Sequence, residues 1–395
     1  MKIFAKFTLN QWIIALYIVI NIGLYYARFQ SIITISYGIL LLGFLNDILQ
    51  RRRCLHRNFI FATILFLVYG FFSFMWADNY LYAKSNFMML LKIVIPTVLL
   101  ASLIHSKADF IVALKSFAFA SFLYSLLFIP FVDISELQNA RVTEALETDE
   151  FIPNVNVISM CSSFACMIYA FIGMSEKKVH QLIFAVIAFV LTVILGSRKS
   201  LLAVFLFLLI LFLKSRARNK SKIIVYISIA LIAIVIIVPK EYLGFIVERF
   251  SFLDYFVSGN QSVIDESDEN RLDMINYGIM YFLDRPVFGN GFMNFAVRFH
   301  NDGFMMTYAH NNFIELLVDL GIIGFIIYYI PYFTIYKNLK HRKHNKWFLL
   351  IGALLVSILF NSFFIVFITT RFMWLLIAIL YAGSYYCKYD SSVFD

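Results

Sequence analysis

The feature that most constrains this chain is the recurrence of apolar runs of membrane-spanning length from Gln11 to Tyr386. A helix needs about 20 consecutive apolar residues to cross a hydrocarbon core of roughly 30 Å. In lipid every backbone polar group must be paired internally, so a crossing segment is either a helix or part of a closed barrel. Barrel strands alternate apolar and polar residues over about ten positions. Leu201 to Leu213 is apolar at every position, so the barrel reading fails and an all-α polytopic membrane protein follows. Composition agrees: 62% of residues are hydrophobic and 14% charged, against about 45–50% and about 25% in soluble domains.

Hydropathy windows predict about twelve transmembrane helices. The first nine run near Gln11 to Tyr26, Ser31 to Leu49, Asn58 to Trp76, Asn86 to Ile104, Phe110 to Phe131, Val155 to Met174, Gln181 to Gly196, Leu201 to Phe212 and Ile223 to Val238. The last three run near Phe313 to Tyr336, Phe348 to Phe367 and Phe372 to Cys387. Basic residues collect at Arg51, Arg52, Arg53 and Arg57, at Lys214, Arg216, Arg218, Lys220 and Lys222, and at Lys337, Lys340, Arg342, Lys343 and Lys346. All three clusters fall on one side, which the positive-inside bias makes cytoplasmic. Both termini are then cytoplasmic, in a single integral membrane domain spanning 1–395. Residues 239–312, between the ninth and tenth spans, form one long extracytoplasmic loop, and a shorter acidic segment runs from Val132 to Pro153. Met1 to Lys6 reads as the basic flank of a retained first helix, because no small-residue cleavage site follows it.

The net charge of +9 reflects these cytoplasmic loops, and no groove-reading motif organises it for nucleic acid. Cys54, Cys161, Cys166 and Cys387 lack metal-ligand spacing and place no pair in the long loop. Neither a disulfide nor a metal is expected, and no cofactor. The carboxylate run Asp265, Glu266, Asp268 and Glu269 reads as a solvated face.

The long loop is predicted to be folded. Ser267 with Asp268 and Glu269 resembles a helix start, and Leu272, Ile275, Ile279 and Phe282 repeat at the spacing of an amphipathic helix lying on the outer membrane surface. Asp284-Arg285-Pro286 ends that helix, and Gly289-Asn290-Gly291 permits a tight turn.

Three positions put a cationic or protonatable side chain at the outer end of a span or in this loop: Arg198, Arg271 and His310. Arg198 lies in Gly196-Ser197-Arg198-Lys199-Ser200, a hairpin between apolar helices, where an arginine reaches the interface by ordinary snorkelling. His310 opens His310-Asn311-Asn312 and precedes an apolar helix carrying Glu315, Asp319 and Gly321-Ile322-Ile323-Gly324.

His-Asn, about nine residues, Gly, two residues and Gly resembles the signature of the O-antigen ligase and polymerase superfamily. The likeness extends to Arg198 and Leu202 as an Arg, three residues, Leu pattern, and to Arg285-Pro286-Val287-Phe288-Gly289-Asn290-Gly291-Phe292 ahead of the histidine. It implies a membrane glycosyltransferase that takes glycan from a polyprenyl-diphosphate donor on the outer face of the inner membrane. Negative charge develops on the leaving diphosphate, and fixed guanidinium forks at Arg198 and Arg271 would stabilise it. His310 would bind the same diphosphate or take the proton of the attacking sugar hydroxyl. Arg249, Arg285, Arg298, Asn311 and Glu315 are the further candidates for substrate contact, with Glu315 also placed to orient His310, to act as base or to cap its helix.

The hairpin at Ser197 and the entry Pro153 to Asn156 are more similar to the polymerase branch, which joins lipid-linked repeat units into O-antigen or capsule-type polysaccharide. The ligase, which delivers the glycan to lipid A core, is the alternative with the same donor chemistry. A transporter or flippase of the lipid-linked unit is a third reading, though carriers usually show paired halves with broken helices. The expected partners are the lipid-linked glycan, membrane lipid, a flippase and a chain-length regulator, with no nucleic acid.

Overall fold

Helix starts are written locally in this chain. Thr8 accepts the Gln11 N–H at 3.3 Å while the Gln11 amide accepts the Thr8 N–H at 3.2 Å, a reciprocal cap. Ser106 takes the Asp109 N–H at 3.1 Å and Asn79 the Tyr82 N–H at 3.1 Å, satisfying donors that a helix end leaves open. A computed structural model describes residues 7–24, 30–50, 56–129, 155–214, 217–237, 266–340 and 346–389. They form α1 (Leu9–Ile18), α2 (Gln30–Leu49), α3 (Arg57–Phe72), α4 (Tyr80–Leu103), α5 (Lys107–Phe128), α6 (Val155–Glu176), α7 (Val179–Ile194), α8 (Arg198–Lys214) and α9 (Ala217–Ile237). Next come α10 (Glu266–Asp284), α11 (Phe295–Asn301), α12 (Asn312–Lys340), α13 (Lys346–Asn361) and α14 (Arg371–Tyr389). Among the described residues there is no strand.

Among the described residues six segments are long and apolar enough to cross a membrane: Gln30–Leu49, Arg57–Trp76, Tyr80–Leu103, Lys107–Phe128, Val155–Glu176 and Asn312–Lys340. Leu9–Gly23, Val179–Ile194, Ile223–Ile234 and Lys346–Asn361 are apolar but shorter. The acidic segment at Val132, the start of the long loop and Arg249 lie outside the described residues, as do the side chains of Ser267 and the nearby carboxylates.

The chain divides into two compact units. The first comprises Met1–Asn46, Ser106–Val263 and His344–Ser357. Its centre is α6, which is buried along nearly its whole length against α5, α7 and α8. Close approach depends on small residues, as expected where lipid supplies no hydrophobic drive between helices. A Cβ on Gly173 would lie 2.7 Å from Leu182, and Ser162 donates to the Ala188 carbonyl at 2.8 Å.

The second unit comprises Asp47–His105, Ile264–Lys343 and Ile358–Asp395. Here α12 packs on α3 and α14, and α14 on α4. Just ahead of α3, His56 is fully buried. It pairs with the Ile104 carbonyl at 3.0 Å and meets the ring edges of Tyr381, Tyr385 and Tyr386. Burial pushes its imidazole down to about 4, with His105 adding to the effect and the Ile104 bond opposing it. The unfolded chain, where the imidazole titrates near 6.5, then binds more protons below that value. Stability is complete above pH ~6.5 and declines toward pH ~4 by about 1.4 kcal/mol per unit. Thermal melts in detergent should show a loss of about 2 kcal/mol between pH 6.5 and 5. His56→Gln should flatten that slope.

Candidate functional site

The second unit gathers every described site candidate except Arg198. Its organising feature is a break in α12. Gly321 has φ +61° and ψ −168° inside the helix, a conformation that glycine alone adopts readily. Helical pairing stops there, and the segment that follows α10 takes it over. Asn290 and Gly291 donate their N–H groups to the Val318 and Asp319 carbonyls at 2.8 and 2.9 Å. Ile322 donates to the Pro286 carbonyl at 2.9 Å and Ile323 to that of Val287 at 3.4 Å. The Pro286 to Gly291 stretch is thus the hydrogen-bond partner of a broken spanning helix. Gly289, at φ +75°, and Gly321 each lie against backbone that a Cβ would strike, that of Asp319 and of Val287 respectively.

The turn after α3 docks on the same segment. Tyr69 donates to the carbonyls of Phe288 and Leu320 at 3.3 and 3.1 Å, and Trp76 Nε1 donates to Phe288 O at 3.3 Å. Asn79 N–H reaches Asn294 Oδ1 at 2.8 Å, and Gly291, at φ +100°, abuts Ala77. Charges tie the same elements. Arg298 Nε donates to Asp78 at 2.5 Å and Nη1 to Asp284 at 3.0 Å, with its guanidinium 5.7 Å from the Tyr281 ring centre. Arg285 donates to the Trp76 carbonyl at 3.2 Å and to Asp78 at 3.4 Å. Arg285 and Arg298 therefore converge on Asp78, a residue the sequence did not single out. Its only local signal is a polar Asp-Asn step between two apolar helices.

α10 is present where the sequence predicts a helix, but its packed face differs. Met274 and Tyr281 join Phe295, Phe299, Ala309 and Val318 in a buried cluster, flanked by Tyr277, Phe282, Phe304 and Ile314. Leu272 and Ile279, from the predicted stripe, are exposed. Gly278 decides this register, because only a glycine there leaves room for Ile314. Within the cluster, Phe299 and Phe304 stack at 4.3 Å. Tyr281 also hydrogen-bonds Asp302, and burial together with that carboxylate raises its phenol above the usual range.

This register also orders the helix pair. Asn290 Nδ2 bridges the Tyr281 and Val318 carbonyls at 3.2 and 2.9 Å, and Gly278 faces Ile314 one turn earlier on both helices. Another turn back, Met274 clusters with Ala309. α10 and the first part of α12 thus run parallel. Arg271, exposed on α10, shares Met274's side and stands at the same end as His310. Arg198 opens α8 in the first unit, half-buried, after Gly196 at φ +64°.

His310 is half-buried, with φ +50°, and its ring lies 4.2 Å from that of Tyr308. Asn311 caps the helix behind it: Oδ1 accepts the Phe313 and Ile314 N–H groups at 2.9 and 3.2 Å, and its carbonyl takes that of Glu315 at 3.0 Å. Asn312 N–H donates to the Ser362 carbonyl at 2.8 Å. All four leading N–H groups of α12 are used internally, so an anion there would be held by side chains. Glu315 and Asp319 are wholly buried. Glu315 Oε2 accepts the Ala309 N–H at 2.6 Å, and Asp319 Oδ1 accepts that of Phe295 at 2.8 Å. Among the described residues no three His, Cys, Asp or Glu side chains are arranged to hold a metal ion.

No curated protein matches this chain. Residues 183–329, which contain Arg198, Arg271, Arg285, Arg298 and His310, match the family model described as O-Antigen ligase, and this match supports the resemblance of that part of the chain to the O-antigen ligase and polymerase superfamily.

Proposed function

We propose that this protein is a polysaccharide polymerase that transfers a growing glycan from polyprenyl diphosphate to a sugar hydroxyl of a second lipid-linked repeat unit. The observation that carries the reading is the coincidence of the family match with His310, displayed at the head of a broken helix whose break is sealed by a second matching motif. In the reaction the acceptor hydroxyl oxygen bonds to the anomeric carbon and the bond from that carbon to the phosphate oxygen breaks. Its electron pair leaves on the polyprenyl diphosphate. The hydroxyl proton goes to His310 or to the departing phosphate. Arg271, at the His310 end of α10, and Arg198 are assigned to the developing diphosphate charge, since a fixed guanidinium stabilises it without reorganising. In the same reading the chain makes about twelve spans in the inner membrane with both termini cytoplasmic, and residues 239–312 face outward. It takes lipid-linked glycan as donor and works beside a flippase and a chain-length regulator.

The description of the matching family favours a second reading, a ligase that moves finished glycan to lipid A core. Surface glycan from a strain lacking the gene separates the two. A polymerase deletion leaves core bearing a single repeat unit. A ligase deletion leaves bare core while long polymer accumulates on carrier lipid. An unchanged ladder would contradict both.

A further inference from the structure

We propose that Glu315 is the positioning residue for His310, holding the backbone one residue ahead of the imidazole from inside the fold. The proposal rests on the reading of His310 as a group that acts on donor or acceptor. Glu315 shows 0% exposure, so it does not reach substrate. Its Oε2 accepts the Ala309 N–H at 2.6 Å and ties that residue to the first turn of α12. Ala309 is itself packed in the cluster with Met274 and Phe299. On the other flank Asn311 is fixed as the helix cap. Between the two clamps His310 adopts φ +50°, a left-handed conformation uncommon outside glycine, although histidine enters it more often than most side chains do. That backbone sets the Cα–Cβ direction, and the ring settles against Tyr308. Without the Glu315 clamp, the hydrogen bond that holds the Ala309 backbone is lost, and relaxation of His310 toward an ordinary φ would swing the imidazole away.

What Glu315 supplies is an oxygen at a fixed reach, so length matters and charge does not. Glu315→Gln keeps an acceptor oxygen at that reach. Glu315→Asp keeps the carboxylate but falls one methylene short. Both are small changes, and each is compared at matched abundance and melting temperature in reconstituted membranes, using a polyprenyl-diphosphate-linked repeat unit as substrate. Glu315→Gln should stay within about threefold of wild type and Glu315→Asp should lose about 10²-fold in kcat, the loss that an ångström of misplacement produces. The donor KM should hardly move. The double variant His310→Ala with Glu315→Asp should be no slower than His310→Ala, because Glu315 acts only through His310.

A slow Glu315→Gln beside an active Glu315→Asp would overturn the proposal and give the carboxylate a chemical role of its own. An additive double variant would overturn it too. If His310→Ala transfers at the wild-type rate, the reading of His310 itself fails, and that result is distinct from either of the others.

Discussion

His310→Asn is expected to leave the protein folded and at wild-type abundance while lowering glycan transfer by about 10²–10⁴-fold, the contribution usual for a positioned acid–base or charge-stabilising side chain. Asparagine is the informative replacement because it tolerates the left-handed backbone that His310 occupies at φ +50°. It keeps the loop in place and removes only the imidazole. His310→Gly should melt higher by about 1 kcal/mol, since it relieves the left-handed strain, and should be equally inactive. A histidine needed only for folding would give the opposite pattern, with the glycine variant active. The pH dependence of transfer then separates its two roles. A proton acceptor loses rate on acidification, whereas an imidazolium that binds diphosphate loses it on alkalinisation.

Gly321→Ala is expected to remove most of the folded protein, although the residue makes no side-chain contact. An alanine at φ +61° and ψ −168° stands in a region essentially confined to glycine, at roughly 1–3 kcal/mol. The added methyl strikes the Val287 carbonyl, so the Pro286 to Gly291 segment must withdraw. The bonds from Ile322 and Ile323 then break, and each N–H left unpaired within a membrane-spanning helix costs about 1–3 kcal/mol. The sum, about 3 kcal/mol or more, is a large part of a typical stability of about 5–15 kcal/mol. Gly303 is the control. It has φ +94° with open space around its Cβ position, so Gly303→Ala should cost only about 1 kcal/mol. Size-exclusion profiles and melting temperatures of the two variants in detergent measure the contrast. Equal behaviour would contradict the view that the break is sealed by that segment.

These two residues also mark how much was legible in the sequence. Apolar run length located the helices that are long enough to span, and the spacing of His310, Gly321 and Gly324 carried the family likeness. The break at Gly321 was hidden, because a run of apolar residues reads as one continuous helix whether or not its hydrogen bonds are exchanged with another segment. The packed face of α10 was hidden for a different reason. Leu272, Ile275 and Ile279 are more apolar than Met274, Tyr277 and Tyr281, so hydropathy points to the wrong stripe, and the fit of Ile314 against Gly278 selects the other. Arg285 and Arg298 were visible as charges, but their shared partner Asp78 lies more than 200 residues upstream. Glu315 was placed near His310 by sequence distance. That it grips the Ala309 N–H from a buried position follows only from the fold of the 308–311 segment.

The most direct test of the central claim is transfer by the purified protein in liposomes that contain only polyprenyl-diphosphate-linked repeat units. Polyprenyl diphosphate should be released in step with longer glycans on the remaining carrier, and both should be lost with His310→Asn. Folded wild-type protein that releases no polyprenyl diphosphate, with or without lipid A core added as acceptor, would contradict it.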